Sequence, residues 1–414
     1  MMHEEKTKSF AVSKRMLWNS YLKVFAKKGS AGIDKETIEI FNENRDKNLY
    51  KIWNRMSSGS YFPPPVRTVP IPKKQGGTRP LGIPTVSDRM AQGVAKDFLE
   101  PVLEPLFHDN SFGYRPRRST HDALAQCREN CLHYAWVVDL DIKGFFDNLS
   151  HEWMMKMVNH HTQEKWVVLY IERWLKAGIE QEDGNIVGRT KGTPQGGVIS
   201  PLLANLYLHH SFDMWMGKHY PSNPFERYAD DIIVHCRSKA EAEHLLTSIR
   251  ERLLCFELEL HPEKTKIVYC KNSRRKEEHE HNSFTFLSYS FQPRKAYNPF
   301  EKWNYTTFSP AICCKAKTFI RQRIREVFNP RITQIPLGEI AKKLNPKIHG
   351  WLNYYCRFNK SEALHVFRYL NGLIMEWIKG KFRLKSKESV LEKYRAYLRT
   401  YPESFVHWKR GVIH

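Results

Sequence analysis

Two short stretches limit what this chain can become. VVDLDI, beginning at Val137, and RYADDIIVHC, Arg227 to Cys236, are both runs of β-branched residues of the kind that form buried strands. Each also delivers carboxylates to a strand end, Asp141 in the first and the adjacent pair Asp230 and Asp231 in the second. Like charges held a few ångströms apart raise one another's proton affinity or demand a cation. A hard divalent ion such as Mg2+ meets that demand, because it takes carboxylate oxygens and keeps positions open for phosphate and water. Asp141 lies 89 residues before Asp230. Two neighbouring strands, each presenting an acid, would gather these oxygens around a pair of metals roughly 3.5–4 Å apart, the arrangement of phosphoryl-transfer sites. An isolated Asp-Asp is more often a turn or a solvated cap, so the chemistry rests on the company these residues keep. Asp139 is expected on the face opposite Asp141 and in a structural role, and Asp147 as an acid at a helix start.

Around these strands the chain alternates patterns. The first sixty residues look helical, with a glycine turn at KGSAGID, Lys28 to Asp34. YFPPPVRTVPIPKKQGGTRPLGIP, Tyr61 to Pro84, interleaves extended residues with prolines and Gly76-Gly77, which suits a basic β-hairpin. HEWMMKMVNH and LLANLYLHHSFDMW read as helices. Ser238 with Glu241 forms a capping box for a helix carrying Leu245, Leu246, Ile249 and Leu253. KTKIVYC reads as a further strand, Asn272 to Ser283 as a solvated loop, and KAKTFIRQRIREVF as a basic helix with an apolar stripe of Phe319, Ile320, Ile324 and Val327. Strands alternating with helices imply a sheet covered by helices on at least one side.

The 414 residues carry 66 Lys and Arg against 44 Asp and Glu, a formal charge of +22 that favours a polyanionic partner such as nucleic acid. The excess is concentrated: from Ala311 to His414 there are 22 basic and 7 acidic residues, a net +15. Eight cysteines without a paired CxxC point to reduced thiols rather than zinc or disulfides. The charged start MMHEEKTKSF and the lack of any long apolar run predict a cytoplasmic protein without a membrane segment.

Nine blocks in order, KGSAGID, PIPKKQGGTRPLGIPTVSDR, SFGYRPRRST, DLDIKGFFDNLSH, GTPQGGVISPLLANLYL, RYADD, ELHPEKTKIV, FTFLSYSF and HGWLNYY, resemble the reverse transcriptases encoded by group II introns, also called intron maturases. The resemblance spans residues 20 to 380. It implies an α+β right-hand polymerase with a ferredoxin-like palm sheet: fingers and palm over 1–305 with an N-terminal extension over 1–60, a helical thumb or maturase domain X over 306–378, and a short basic segment over 379–414 that is a candidate DNA-binding remnant. It makes Asp141, Asp230 and Asp231 the catalytic ligands of two Mg2+ ions, with Mn2+ as a substitute. Lys73, Arg79, Phe146 and Gln195 become the nucleotide pocket, Phe146 as the aromatic gate under the incoming sugar. Arg115, Arg117 and Arg118 would line the template path, and Leu287, Ser288 and Tyr289 would grip the primer end. Lys264 lies in a block that abuts the site in such polymerases. Two positions depart from the pattern: Ser288 and Lys35 stand where the family generally has glycine. Trp351, Tyr354 and Tyr355 are read as core aromatics. No endonuclease is expected after WKRGVIH.

The implied partners are an RNA template, a DNA or RNA primer, dNTP and group II intron RNA. Oligomeric state is left open. The leading function is an RNA-directed DNA polymerase that also assists splicing and retromobility. Two alternatives stand beside it: a splicing factor that binds intron RNA without catalysis, and a free-standing reverse transcriptase in DNA repair or phage defence.

Overall fold

The computed structural model describes residues 9–72, 78–181 and 183–412. The chain forms two compact units, residues 1–127 with 136–267, and residues 128–135 with 268–414.

The first unit starts with three helices, α1 (Lys14–Lys27), α2 (Ile38–Glu43) and α3 (Arg45–Ser58). Ser13 and Thr37 cap the first two by accepting the amides of Met16 and Ile40. The third ends at Gly59, whose left-handed backbone closes the last turn. In the intervening turn Lys35 takes φ 59°, a conformation glycine adopts freely, which accounts for the glycine usual there. The basic segment forms the expected antiparallel hairpin of β1 (Val66–Pro72) and β2 (Thr78–Ile83). Pro70 and Pro80 face each other, so both missing donors fall at one rung. Lys73 lies outside the described residues, and so does the side chain of Arg79.

There follow α4 (Val86–Leu103), α5 (Thr120–His133), β3 (Trp136–Asp141), α6 (Phe145–Asn148), α7 (His151–His161), α8 (Lys165–Lys176), β4 (Ile179–Glu180) and β5 (Ile186–Val187). The hairpin edge extends through β4 and β5 into a sheet ordered β2-β1-β4-β5. Next come α9 (Ser200–Leu208), α10 (Met214–His219), β6 (Phe225–Tyr228), β7 (Asp231–Cys236), α11 (Lys239–Leu254) and β8 (Lys266–Tyr269). The helix expected over LLANLYLHHSFDMW is interrupted by a π-helical turn, His209–Asp213. The capping box of Ser238 and Glu241 starts α11 as expected.

The central sheet runs β6-β7-β3-β8. Both β6–β7 and β3–β7 are antiparallel, so the fold is α+β and not a doubly wound parallel sheet. Val137, Val138, Ile232, Ile233 and Val234 are fully buried, and α11 packs on β3 and β7. Burying these side chains supplies the hydrophobic driving force that fixes the register of both acid-bearing strands.

The second unit contains β9 (Phe284–Phe286), β10 (Tyr289–Asn298), β11 (Trp303–Ile312), α12 (Cys314–Val327), α13 (Leu337–Tyr355), α14 (Lys360–Lys381), α15 (Lys387–Thr400) and α16 (Val406–Lys409). Phe284 and Phe291 stack at 4.7 Å in its sheet, and Ile320 and Ile324 carry the buried stripe of α12. The units divide at residue 267, ahead of the expected boundary at 305, because β9 to β11 group with the C-terminal helices. The segment after 379 packs inward: the Trp408 indole donates to Asn371 of α14, which also bonds His407.

Candidate active site

The acids are assembled by strand register. Asp141, the last residue of β3, lies directly opposite Asp231, the first residue of β7. Asp230 and Ala229 form the two-residue turn between β6 and β7, closed by the pair Tyr228 and Asp231. Asp139 corrects the sequence expectation. Residues two apart on a strand share a face, and the Asp139 carboxyl interacts electrostatically with both Asp231 and Asp141. Burial pushes that carboxyl well above the usual carboxylate range, the two neighbouring aspartates push further, and Lys266 opposes them. Burial likewise raises Asp230; Asp141 adds to the rise, while the residue's own amide, Arg227 and Lys264 work against it. Lys264 reaches to 3.4 Å from Asp141 Oδ1. The ELHPEKTK segment is tied to this strand end by the amide of His261 donating to the Asp141 carbonyl at 2.7 Å and that of Lys143 to Glu259 at 2.8 Å.

Below the turn lies a buried polar network that the sequence reading did not single out. The fully buried Arg227 guanidinium binds Asp213 through two bonds of 2.7 and 2.5 Å, the Asn205 side-chain oxygen at 2.9 Å and the Ala229 carbonyl at 3.2 Å. A forked guanidinium suits this work because its donors are fixed in one plane. Asn205 in turn donates to the Gly113 carbonyl at 2.7 Å. Gly113 has no room for a side chain: a Cβ there would sit 2.4 Å from the Ala229 amide nitrogen. Ala229 itself is left-handed, φ 58°. The Asp-Asp turn is thus held by a charge network on one side and a bare backbone on the other.

The GTPQGG loop brings Phe146 and Gln195 into one framework. The amide of Thr193 donates to the Phe146 carbonyl at 2.7 Å, and that of Gly192 to Leu149 at 2.7 Å. On the opposite flank the Gly82 amide donates to the Gln195 carbonyl at 2.7 Å, and a Cβ on Gly196 would meet the Gly82 carbonyl at 2.2 Å. Gln92 of α4, another residue absent from the sequence reading, accepts the amides of Val198 and Ile199 at 2.7 and 3.3 Å. Its own amide donates to Asp88 at 2.8 Å, and Asp88 also accepts from Tyr61 and Trp174. Phe146 stays half-buried beside the fully packed Phe145, so the ring keeps an accessible side. Asp147 falls in the first turn of α6, as expected.

The remaining predicted residues fare differently. Arg115 is engaged inside the protein, bonding Glu104 at 2.9 Å and the carbonyls of His108 and Ser111 at 2.6 and 2.8 Å; this clamp, not a template phosphate, occupies its guanidinium. Arg118 pairs with Asp109 at 2.8 Å and Arg117 is exposed. In the second unit Leu287 and Ser288, φ 50° and 67°, form the tight turn joining β9 to β10. That left-handed backbone explains why glycine is usual at 288. Tyr289 is fully buried and its hydroxyl donates to the Tyr354 carbonyl, while the Tyr354 hydroxyl donates to the Leu287 carbonyl at 2.8 Å. Tyr289 therefore shapes the turn from within the core.

Asp141, Asp230 and Asp231, with Asp139 on the same sheet face, offer hard carboxylate oxygens of the kind that could hold a divalent cation. They are not drawn into a closed cage. Among the described residues, the one trio of ligand-type side chains with donor atoms all within 4.8 Å of one another is Cys127, Glu226 and His235, fully buried in the first unit.

Residues 71–291 match the family model of the reverse transcriptases (RNA-dependent DNA polymerases), and residues 317–395 match that of the group II intron maturase-specific domain. The chain is 39% identical over 193 residues to the group II intron-encoded protein LtrA of Lactococcus lactis, covering 46% of this chain and 32% of that protein. It is 34% identical over 223 residues to Protein YkfC of Escherichia coli, with 51% and 58% covered. A putative COX1/OXI3 intron 2 protein of Saccharomyces cerevisiae is 31% identical over 196 residues, with 47% and 23% covered. The chain thus spans about a third of LtrA and less than two thirds of YkfC. Since the first family model extends over more than half of the sequence, the protein belongs to the reverse transcriptase family, in the branch that carries the group II intron maturase domain.

Proposed function

We propose that the chain is an RNA-directed DNA polymerase that extends a primer 3′-hydroxyl on an RNA template. The observation that carries this reading is the facing of Asp141 and Asp231 across the ladder, with Asp230 in the adjoining turn. Asp141, Asp230 and Asp231 would hold two Mg2+ ions, for which Mn2+ can substitute; bound there, the ions supply activation of the attacking hydroxyl and charge neutralisation at the phosphates. The primer oxygen forms a bond to the α-phosphorus of a dNTP, the bond to the β-phosphate oxygen breaks, pyrophosphate leaves, and the hydroxyl proton passes to solvent.

Phe146, on α6, and Gln195, on the loop stitched between Gly82 and Gln92, would line the sugar and base of the incoming dNTP. Lys73 and Arg79 would hold the triphosphate, a point charge and a fork suited to phosphate oxygens. Arg117 and Arg118 are the template candidates, and the backbone of the Leu287-Ser288 turn is the primer-end candidate. In this scheme 1–305 serves as fingers and palm, 306–378 as thumb and maturase domain X, and 379–414 as a basic segment. The net +15 after residue 310 favours binding of group II intron RNA through phosphate contacts. Among the described residues no helix is long and apolar enough to cross a membrane, which fits the proposed work in the cytoplasm.

Primer extension on an RNA template with Mg2+, comparing the native chain with Asp230→Asn, tests the reading. Extension by the native chain and none by the variant supports it. Equal extension by both removes Asp230 from the mechanism. Tight intron RNA binding without extension by either favours a splicing factor.

A further inference from the structure

The second unit carries a hairpin that outruns its sheet. β10 and β11 pair from Tyr289 with Ile312 to Asn298 with Trp303, whereas β9 covers only Tyr289 to Phe291. From Gln292 outward the ribbon extends for roughly 20 Å with no third strand among the described residues. A bare two-stranded ribbon is marginally stable in water, so its persistence calls for local ties. Ser273 supplies one, bonding Thr306 by its amide at 3.0 Å and receiving the Thr306 amide on its hydroxyl at 2.6 Å. Arg294 supplies another, donating to the carbonyls of Ser309 and Ser290 at 3.2 and 3.3 Å.

The tip is ordered so as to present aromatic surface. Asn298 accepts the amides of Phe300 and Glu301 at 3.0 and 3.3 Å, which fixes the turn. Phe300, just inside that turn, is 94% exposed, and Tyr297 and Trp303 flank it at 57% and 46%. The Glu301 carboxylate is turned back into the tip, accepting from the Trp303 indole at 2.5 Å and from Asn298 at 3.0 Å. Lys295 and Lys302 are exposed. Lower on the ribbon a cleft of about 470 Å3 is lined by Lys271, Asn282, Gln292, Pro293, Lys295 and Thr306. Apolar ring faces are thereby offered at the end of a ribbon where Lys295 and Lys302 are exposed and the one exposed carboxylate, Glu301, is engaged by Asn298 and the Trp303 indole.

We infer that this hairpin tip is a docking element for unpaired RNA bases, which stack on Phe300 and Trp303 while Lys295 and Lys302 meet the flanking phosphates. Exposed aromatics beside basic side chains are how single-stranded nucleic acid is held without sequence preference. Charge complementarity with a chain of net charge +22 selects a polyanion over an apolar peptide. The inference rests on the RNA-binding reading above and assigns that binding to a place in the fold.

The test is equilibrium binding of the full chain, without divalent metal or nucleotide, to a short unstructured RNA and to a blunt RNA–DNA duplex of equal length. Phe300→Ala is expected to weaken binding of the unpaired RNA about ten-fold and to leave the duplex unaffected, with Phe300→Trp restoring affinity. Since Phe300 is almost wholly in solvent, the variant loses no packing, and an unchanged melting temperature verifies this. Equal affinity of native and Phe300→Ala for the unpaired RNA overturns the inference, as does an equal loss on both probes. Retained RNA affinity together with lost binding to vesicles of anionic phospholipid would assign the tip to a membrane surface instead. If the native chain binds neither nucleic acid, the RNA-binding reading falls with it; if only the Phe300 dependence is missing, that reading stands and the hairpin assignment alone is lost.

Discussion

Asp141 and Asp231 sit directly across from one another at the ends of two antiparallel strands, and Asp139, two residues back, lies on the same face. Three carboxyl groups on one sheet face, with Asp230 in the turn beside them, are crowded together where buried valines and isoleucines fix the backbone. Replacing Asp141, Asp230 or Asp231 singly with Asn is expected to lower primer extension by at least about a thousand-fold while leaving the fold intact, since each substitution relieves repulsion. Single-turnover extension and a thermal melt of each variant check both halves.

Arg227 is the support beneath the Asp-Asp turn. Arg227→Met is expected to destabilise the first unit by roughly 3–5 kcal/mol, because Asp213 is left as a buried unpaired charge. The double variant Arg227→Met with Asp213→Leu should recover most of that loss. Urea unfolding of the three proteins decides the matter; equal destabilisation of the single and double variants would mean that lost packing, not the stranded charge, dominates.

Gln92 acts on the nucleotide loop from a distance. It binds two amides just after Gln195-Gly196-Gly197 and is anchored in turn on Asp88. Gln92→Leu leaves those amides unpaired and should raise KM for dNTP about ten-fold with a smaller change in kcat. Steady-state kinetics with dNTP varied at saturating primer–template reads this directly. An unchanged KM would remove Gln92 from the positioning of the loop.

Ser288 holds φ 67° in the turn between β9 and β10. Ser288→Gly relieves the left-handed strain but removes the side-chain hydrogen bond between Ser288 and Tyr355 and adds entropy to the unfolded chain, so the stability of the second unit should change by less than about 0.5 kcal/mol. A denaturant titration reporting on that unit checks this.

Acid sensitivity is expected from His407. Burial lowers its pKa from 6.5 to about 3, and its ring bonds Asn371 at 2.7 Å. A base whose folded pKa is depressed takes up protons on unfolding, so its contribution is complete above pH 6.5 and falls as pH drops towards 3. At pH 5.5 the loss is about 1.4 kcal/mol. Melting temperatures at pH 7.5 and 5.5 should differ less for His407→Gln, which keeps a hydrogen-bonding side chain but does not titrate.

What the sequence disclosed was what local pattern encodes. The β-branched runs before Asp141 and after Asp231, the proline-rich hairpin, and the Ser238–Glu241 capping box each lie within a few residues of the feature they specify. Gln92, Gly113 and the Arg227–Asp213 pair were not legible, since their meaning comes from contacts such as Gln92 with Val198 that only the folded chain brings about. Arg115 is the converse case: an arginine in a basic block looks like a phosphate ligand until Glu104 and two carbonyls are seen to occupy it. Asp139 required only the strand period, which sets it beside Asp141.

The GTPQGG loop is fastened at both flanks and from beneath, to Phe146 and Leu149, to Gly82, and to Gln92. Such a segment has no slack. Exchanging one of its side chains leaves the backbone moorings in place, but adding or removing a single residue would throw every mooring beyond it out of phase. Variation along this stretch is therefore confined to substitution, and a library built by insertion or deletion between Gly192 and Val198 should yield no working members.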